Sequence, residues 1–332
     1  MEFRRLGRTG LSVSAIGVGT WQLSGPLTLD GKADGFPDPG ADAVVDLVRT
    51  CGDLGINFID CAEIYGNGEG ERRVGKAIRG NRGSWIVASK FGLRKGTSGE
   101  RVRDAGPRSI QSSLENSLRR LQTDYLDLYL YHSSPEDNTI AEGREVLEGL
   151  KKQGKVRYYG VSTNDPQILR RFLQHDAADV VMYSHSLLTD PRELLSLAQK
   201  GNLGGMVRGA LEGGRLSGRY FHSTPQLDDQ DIRKSAFRNV DTRSYAIYEQ
   251  ALPPGMSMTA VALRYVLDFE TSHTLVLGGK SIEHYREASK VVELPRLDAS
   301  TCEALRKSKD AITGQSTVRR IVRRLTGWIS PD

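Results

Sequence analysis

The stretch YLDLYLYHSSPEDNTIAEGREVLEGLKKQGKVRYYGVS, residues 125–162, contains one complete strand-helix-strand unit. Its two ends, 125–132 and 156–162, are short runs of apolar, aromatic and β-branched residues, which favour buried strands. Between them, Thr139 and Glu142 have the spacing of a capping box, which predicts the start of a helix. Because strands joined through a helix pair in parallel, this unit predicts a parallel sheet.

The same alternation continues in both directions along the chain. Helical spacing occurs between the runs, as in Leu114, Leu118 and Leu121, and Asp165-Pro166 places a cap before a proline. The strand-like runs number eight and lie at 14–20, 57–60, 85–90, 125–132, 156–162, 179–183, 205–208 and 274–277. Eight such units in 332 residues predict an α/β fold, a (β/α)8 TIM barrel, which typically takes ~250 residues plus insertions. An open doubly wound sheet is the alternative.

Two long stretches rich in polar residues interrupt this pattern, at 24–40 and 220–243. In a barrel both would lie at the C-terminal face, which carries the active site. We therefore predict one barrel domain over residues 1–314 with long loops on that face. A separate C-terminal helical extension is predicted over residues 315–332.

This extension has the pattern of a basic amphipathic helix. Val318, Ile321, Val322 and Leu325 recur at helical spacing, with arginines between them at positions 319, 320, 323 and 324. The apolar stripe is predicted to pack on the barrel or on a second copy of the chain in a homo-oligomer. Contact with a membrane surface or an acidic partner is the alternative.

Composition argues against several classes of protein. The 46 Lys and Arg against 41 Asp and Glu give a net charge of +5, which is too small to predict a nucleic-acid partner. No window approaches the roughly 18 consecutive apolar residues of a membrane-spanning helix, and glycines interrupt the one stretch that imitates an export signal. Cys51, Cys61 and Cys302 form no disulfide framework, and no residue spacing indicates a metal site. These features predict a cytoplasmic protein without a bound metal or a membrane partner.

Four polar residues lie at or just after the ends of three successive predicted strands: Asp60, Tyr65, Lys90 and His132. For any one of them, a polar residue where a strand meets water is the simpler interpretation. In a barrel, however, these strand ends are neighbours. The Lys90 ammonium would lower the pKa of the Tyr65 phenol, and Asp60 would keep that ammonium charged. His132 would form a hydrogen bond at a carbonyl oxygen, so the set is an acid that needs a cofactor to supply electrons.

Several motifs occur in order along the chain: LGRTGLSVS at 6–14, GVGTW at 17–21, NFIDCAEIYG at 57–66, SKFG at 89–92, DLYLYH at 127–132 and GVS at 160–162. Together they resemble the aldo-keto reductase family over nearly the whole chain. The first motif resembles the family's opening β-hairpin, which precedes the barrel. The resemblance implies that Tyr65 is the proton donor, that Lys90 and Asp60 tune it, and that His132 orients the carbonyl. It also implies reversible hydride transfer between NADPH, less often NADH, and an aldehyde or ketone.

The cofactor is expected to lie extended over the C-terminal face of the barrel, with its phosphates near the seventh and eighth strands. A Rossmann loop is excluded, because Gln22 stands where G-x-G-x-x-G needs its third glycine. Ser281 would cap the last barrel helix, whose N-terminus favours anions. The candidate cofactor contacts are Thr20, Trp21, Asp60, Ser162, Thr163, Met182, His185, Arg208, Gly209, Leu211, Gly218, Arg219, Gly279, Lys280, Ser281 and His284.

Some of these positions depart from the family pattern. Thr163 stands where asparagine is usual, and His284 stands where glutamine is usual near the adenine. Met182 and His185 take the places of a glutamine and of a tyrosine that stacks on the nicotinamide ring, with Tyr183 as the alternative stacking residue.

The leading hypothesis is an NAD(P)H-dependent carbonyl reductase that acts on a small-molecule aldehyde or ketone, with NADP the expected cofactor and NAD the alternative. A second hypothesis is a non-catalytic or weakly catalytic nucleotide-sensing regulatory subunit, like the potassium-channel beta subunits of the same fold. A third is reduction of a keto-sugar or its enone in a biosynthetic pathway.

Overall fold

Eight parallel strands close into a barrel in the computed structural model, which describes residues 1–132, 134–135, 139–238 and 240–326, with side chains as far as residue 313. The closed barrel confirms the predicted fold and excludes the open sheet. The strands, each paired with its neighbours in chain order, are β1 (Ile16–Gly19), β2 (Phe58–Asp60), β3 (Ile86–Phe91), β4 (Leu126–Tyr131), β5 (Val156–Ser162), β6 (Val180–Ser184), β7 (Gly204–Arg208) and β8 (Thr274–Leu277).

Helices follow the strands and cover the outside of the barrel. Asp165 caps one of them as predicted, since its carboxylate accepts from the Gln167 N–H at 2.8 Å. The helices of the described residues are α1 (Ala41–Asp53), α2 (Glu69–Ala77), α3 (Pro107–Leu121), α4 (Ile140–Lys152), α5 (Pro166–Gln174), α6 (Arg192–Lys200), α7 (Arg233–Phe237), α8 (Met258–Leu267), α9 (Ile282–Val291) and α10 (Ala299–Thr326).

The predicted N-terminal hairpin packs against one end of the barrel. Its strands, Phe3–Arg5 and Ser12–Ser14, pair antiparallel. Leu6 and Leu11 extend from it into the apolar cluster inside the barrel. Gly7 allows the close contact, because it has φ +47° and a Cβ there would lie 2.4 Å from the Leu203 carbonyl carbon. The hairpin therefore belongs to the barrel core.

Both long loops contact each other at the opposite end of the barrel. The loop after β1 carries a small hairpin, Thr28–Leu29 with Lys32–Ala33. It bridges to the loop after β7, where the Ile232 N–H donates to the Gly35 carbonyl oxygen at 3.0 Å. A third hairpin after β3, Leu93–Lys95 with Arg101–Arg103, was not predicted from the sequence. These elements surround the C-terminal ends of the strands.

Helix α10 supplies the predicted C-terminal helical extension, and it runs without interruption through the expected domain boundary at 314/315. Leu305 is buried with residues of α8, such as Met258 and Val261, so the first turns of α10 pack on the barrel domain. The apolar stripe and the arginines at 318–325 lie outside the residues whose side chains are described. Within the described helices, none is long and apolar enough to span a membrane.

Candidate active site

Three of the four predicted catalytic side chains are in direct contact. The Lys90 ammonium donates to the Asp60 carboxylate, with 2.5 Å between Nζ and Oδ1, and to the Tyr65 hydroxyl at 3.2 Å. It also donates to the Cys61 carbonyl oxygen at 2.8 Å. The His132 ring lies edge to face against Tyr65, with 5.7 Å between ring centroids. The structure thus brings all four residues together around an ammonium that is 1% exposed.

Strand alternation explains this convergence. Side chains two positions apart on a strand share a face, so polar residues that follow interior residues at this spacing lie at the barrel mouth. This spacing occurs on three adjacent strands, where a polar residue comes two positions after an apolar residue of the interior cluster. The pairs are Phe58 and Asp60, Ala88 and Lys90, and Leu130 and His132.

Tyr65 comes from the turn that follows β2. This turn, Tyr65–Gly68, contains Gly66 at φ 57°. A Cβ atom on Gly66 would lie 2.0 Å from the Ser24 carbonyl oxygen, so both the conformation and the contact require glycine. The Trp21 ring stacks on the Tyr65 ring with 5.9 Å between centroids. The phenol is therefore fixed from two sides.

Lys90 is an ammonium at neutral pH. Burial alone would lower its pKa, but the negative charge of Asp60 and the hydrogen bonds to Asp60 and Tyr65 outweigh burial and raise the pKa above the usual value. Burial raises the pKa of Asp60, and the charge of Lys90 opposes that rise. Each member of the ion pair therefore depends on the other to remain charged.

The net pKa of Tyr65 differs from the sequence-based expectation of an acidified phenol. Burial is the largest effect and raises the pKa above its usual value of 10.0; Lys90 lowers the pKa, and Asp60 raises it further. Lys90 thus acts in the predicted direction but does not outweigh burial. The phenol keeps its proton at neutral pH, and the ammonium is placed to stabilise the phenolate that proton donation would leave.

The His132 ring is neutral at neutral pH. Burial, followed by the positive charges of Lys90 and Arg208, holds the pKa of His132 well below its usual value of 6.5. Its Nδ1 atom is buried and has no hydrogen-bond partner within the described ranges. Since a neutral imidazole carries one N–H, this ring can donate one hydrogen bond to a substrate oxygen.

A second buried acid lies outside the barrel wall, against β3. The Glu63 carboxylate accepts from the Gly92 N–H at 3.0 Å. Nearby, Glu71 forms an ion pair with Arg120 at 2.6 Å and accepts from the Ser89 hydroxyl. Burial raises the pKa of Glu63 to about 6, and the charge of Glu71 adds to the rise. No pattern in the sequence singled out this cluster.

Glu63 is expected to make the free energy of unfolding depend on pH. Because its pKa rises from 4.5 to about 6 on folding, the stabilisation by its protonated form is complete below pH 4.5 and is lost as the pH rises through 6. The loss amounts to about 2 kcal/mol. As the pH rises through this range, the free energy of unfolding measured with urea should decline less for Glu63→Gln than for the wild type. The exposed Glu145→Gln is the matched control, and equal declines in wild type and Glu63→Gln would contradict the assignment.

The candidate cofactor contacts near β1 and β5 lie at the rim of the same mouth. The Thr20 hydroxyl is buried and donates to the Asp60 carbonyl oxygen at 2.9 Å. Trp21 is half-buried beside the Tyr65 phenol. Ser162 ends β5 and is half-buried, whereas Thr163 is buried. Ser162 and Trp21 are therefore the accessible members of this group.

On β6 the structure corrects the predicted stacking residue. Met182 lies in the apolar cluster inside the barrel. The His185 ring is fully buried edge to face against Phe269, 4.5 Å between centroids, and burial lowers its pKa to about 4. Tyr183 is also buried, and its hydroxyl donates to the Thr271 carbonyl oxygen at 3.0 Å. Neither ring can stack on a nucleotide, because each is enclosed by side chains of the fold.

Five candidates lie on one stretch of chain at the end of β7 and after it: Arg208, Gly209, Leu211, Gly218 and Arg219. Arg208 ends the strand and is half-buried, and Arg219 is exposed. Gly209 and Gly218 adopt φ of 75° and 78°, conformations that glycine allows. This stretch is accessible from the rim.

Beside β8, a carboxylate that sequence analysis missed holds Lys280. The Lys280 ammonium lies 3.4 Å from the Asp231 carboxylate, which also binds Arg233 at 2.7 Å. Ser281 is the residue before α9, but its side chain makes no cap hydrogen bond to the helix. The Lys280 N–H donates to His284 Nδ1 at 3.2 Å.

Gly279 is buried, and its N–H donates to the Tyr285 hydroxyl at 3.2 Å. The only sequence signal for Asp231 was its place in the long loop after the seventh strand. In the parts of the chain described, no three His, Cys, Asp or Glu side chains form a group able to hold a metal.

Known proteins resemble this chain over most of its length. The model of the Aldo/keto reductase family matches residues 15–310, a range that contains the whole barrel. The uncharacterized oxidoreductase YqkF of Bacillus subtilis is 30% identical over 308 residues, 92% of this chain and 95% of the relative. The holo form of aldo-keto reductase AKR11C1 from Bacillus halodurans aligns with a TM-score of 0.77 and 30% identity, over 93% of this chain and 96% of that chain. An aldo-keto reductase from Klebsiella pneumoniae in complex with NADPH aligns with a TM-score of 0.67 and 27% identity, over 92% and 94%.

Proposed function

Since the chain belongs to the aldo/keto reductase family, we propose that it is a nicotinamide-dependent carbonyl reductase in which Tyr65 donates the proton. The observation that carries this proposal is the position of the Lys90 ammonium between the Asp60 carboxylate and the Tyr65 hydroxyl. A buried ammonium that touches a phenol oxygen stabilises the charge left when the phenol loses its proton.

The residues of the mouth have distinct parts in this proton transfer. A carbonyl oxygen beside Tyr65 would accept the phenol proton as negative charge develops on it. The neutral His132 ring would donate a second hydrogen bond to that oxygen and so fix its position. Asp60 is a positioning residue, because it contacts Lys90 and keeps the ammonium charged and directed at the phenol.

The cofactor would supply the hydride to the carbonyl carbon. The residues at the rim fit a dinucleotide in their chemistry, because Arg219 and Lys280 are exposed cations suited to phosphates. Lys280 shares the Asp231 carboxylate with Arg233, so this carboxylate is contacted by two cations. Trp21, which stacks on Tyr65, and Ser162 are half-buried at the same mouth.

Lys280 is expected to make the site prefer NADPH to NADH. The two cofactors differ by the 2′-phosphate, and a charge-assisted contact to it would strengthen binding about 10-fold or more. Titration of cofactor fluorescence should therefore give a lower Kd for NADPH, and Lys280→Ala should narrow the difference. Lys290→Ala, an exposed lysine at the end of α9, is the matched control. Equal Kd values for the two cofactors in the wild type would contradict this assignment.

The proposed function is tested by incubating the protein with NADPH and activated aldehydes and following the loss of nicotinamide absorbance. We expect turnover of at least one aldehyde. A protein that binds NADPH tightly but oxidises none of it would fit the alternative, a nucleotide-sensing regulatory subunit. A protein that does neither would contradict both hypotheses.

A further inference from the structure

Arg208 occupies the same kind of position at the mouth as the catalytic residues. Met206 lies in the apolar cluster inside the barrel, and Arg208 follows it at the two-residue spacing that keeps a side chain on the interior face. Its strand, β7, is four strands from β3 in the ring of eight, so Arg208 lies across the mouth from Lys90. Arg208 is half-buried as a residue.

This guanidinium has no ion pair with any carboxylate of the described residues. It donates to the side-chain oxygen of Asn164 at 3.3 Å, and that neutral oxygen also accepts the Ser184 N–H at 2.8 Å. Arg82 and Arg120 are also half-buried, but each is paired with a carboxylate, Asp127 and Glu71 respectively. A guanidinium has five N–H donors, and Arg208 uses only one of them in this contact, so it has donors left to bind an anion.

The surrounding charges favour an anion at this place. The only carboxylate of the catalytic set, Asp60, is already paired with Lys90. After burial, the positive charges of Lys90, Arg208, Arg101 and Arg103 each lower the pKa of His132; Arg101 and Arg103 lie in the hairpin after β3. Arg101 is paired with Asp34 at 3.1 Å. The described part of the mouth is therefore electropositive on the side that faces Tyr65 and His132.

We propose that Arg208 is a specificity-determining residue that binds an anionic group, a carboxylate or phosphate, on the carbonyl substrate. This rests on the proposed reductase function. Arginine suits the role, because its planar donors match a carboxylate or phosphate in a two-bond contact. The substrate class is thus an aldehyde or ketone that carries a negative charge away from its carbonyl. A phosphate of the cofactor is the other anion that Arg208 could bind. The test below distinguishes it from an anionic group on the substrate.

The test compares 4-carboxybenzaldehyde with 4-carbamoylbenzaldehyde, which are similar in size but differ in charge. The readout is the ratio of the two kcat/KM values within each variant, because that ratio does not depend on the fraction of protein folded. We expect the wild type to favour the anionic aldehyde and Arg208→Met to reduce the ratio about 10- to 100-fold, mainly through KM. Arg208→Lys, which keeps the charge, should restore much of the ratio.

Three results would overturn the proposal, and the measurements distinguish them from one another. A ratio unchanged in Arg208→Met would exclude recognition of the substrate anion. Equal losses for both aldehydes with a raised Kd for NADPH would assign Arg208 to the cofactor. No turnover of either aldehyde by the wild type, when the wider aldehyde panel is also inactive, would mean that the reductase function itself has failed.

Discussion

Tyr65→Phe is expected to lower kcat for aldehyde reduction by at least about 100-fold, the usual contribution of a general acid. The substitution removes only the hydroxyl that Lys90 touches at 3.2 Å. The ring contacts with Trp21 and His132 remain, so binding of substrate and cofactor should change little. The initial rate of NADPH oxidation at saturating aldehyde measures this effect.

Tyr248→Phe is the matched control for this substitution. The Tyr248 hydroxyl is also buried, it has no hydrogen-bond partner among the described residues, and it lies in the cluster beside α8 and α10. Its loss should leave kcat within about 2-fold, as expected for a change that removes no paired group. Equal kcat for Tyr65→Phe and the wild type would remove Tyr65 from the mechanism.

Lys90→Met is expected to impair both activity and folding. It removes the ammonium that stabilises the phenolate and leaves the Asp60 carboxylate buried without a counter-ion. Breaking a buried pair in this way costs about 3 to 5 kcal/mol of unfolding free energy. Because the folded pKa of Asp60 is already raised and would rise further, this variant should be most stable at acid pH and lose stability as the pH increases. Urea unfolding at several pH values measures this change.

The double variant Lys90→Met with Asp60→Asn separates the two effects. It removes the isolated charge, so much of the unfolding free energy should return. Activity should not return, because the phenol still has no ammonium beside it. A double variant that regained wild-type turnover would contradict the role of Lys90, and a stable Lys90→Met with no pH dependence would contradict the ion pair.

The convergence of the four candidate catalytic residues could be predicted because barrel geometry is regular. Once the strands are placed, alternation decides which residues point inward, and residues at the ends of neighbouring strands must meet. Asp60, Lys90 and His132 follow from this rule alone. Tyr65 lies beyond its strand, and its position depends on the turn that Gly66 permits. The sequence of that turn matches a motif of the family. Hydrophobic periodicity alone would not have indicated where the turn places Tyr65.

The burial of His185 and the position of Asp231 could not be predicted, because packing between distant segments decides both. The resemblance to the family pattern implied a role for His185 at the cofactor, yet the ring packs against Phe269, more than 80 positions later. Asp231 acquires its place from the contact between the two long loops. The net pKa of Tyr65 likewise depends on the depth of burial, which a sequence does not display.

The boundary between the barrel domain and the C-terminal extension, at 314/315, remains a prediction. The amphipathic pattern at 318–325 correctly indicated a helix, which begins at Ala299, earlier than the boundary proposed at residue 315. Packing of Leu305 on the barrel domain shows that the first part of this helix belongs to the domain core. The separate tail, the homo-oligomer and the cytoplasmic location stay predictions.

Transfer of deuterium from NADPH labelled at both hydrogens of nicotinamide C4 tests the central claim most directly. The protein, labelled cofactor and an aldehyde are incubated together, and the alcohol product is analysed by mass spectrometry. We predict one deuterium on the former carbonyl carbon in the wild type and at least about 100-fold slower formation of this product by Tyr65→Phe. Absence of labelled alcohol in the wild-type reaction, whether because the alcohol is unlabelled or because none forms, would contradict a hydride-transferring site at Tyr65, Lys90, Asp60 and His132.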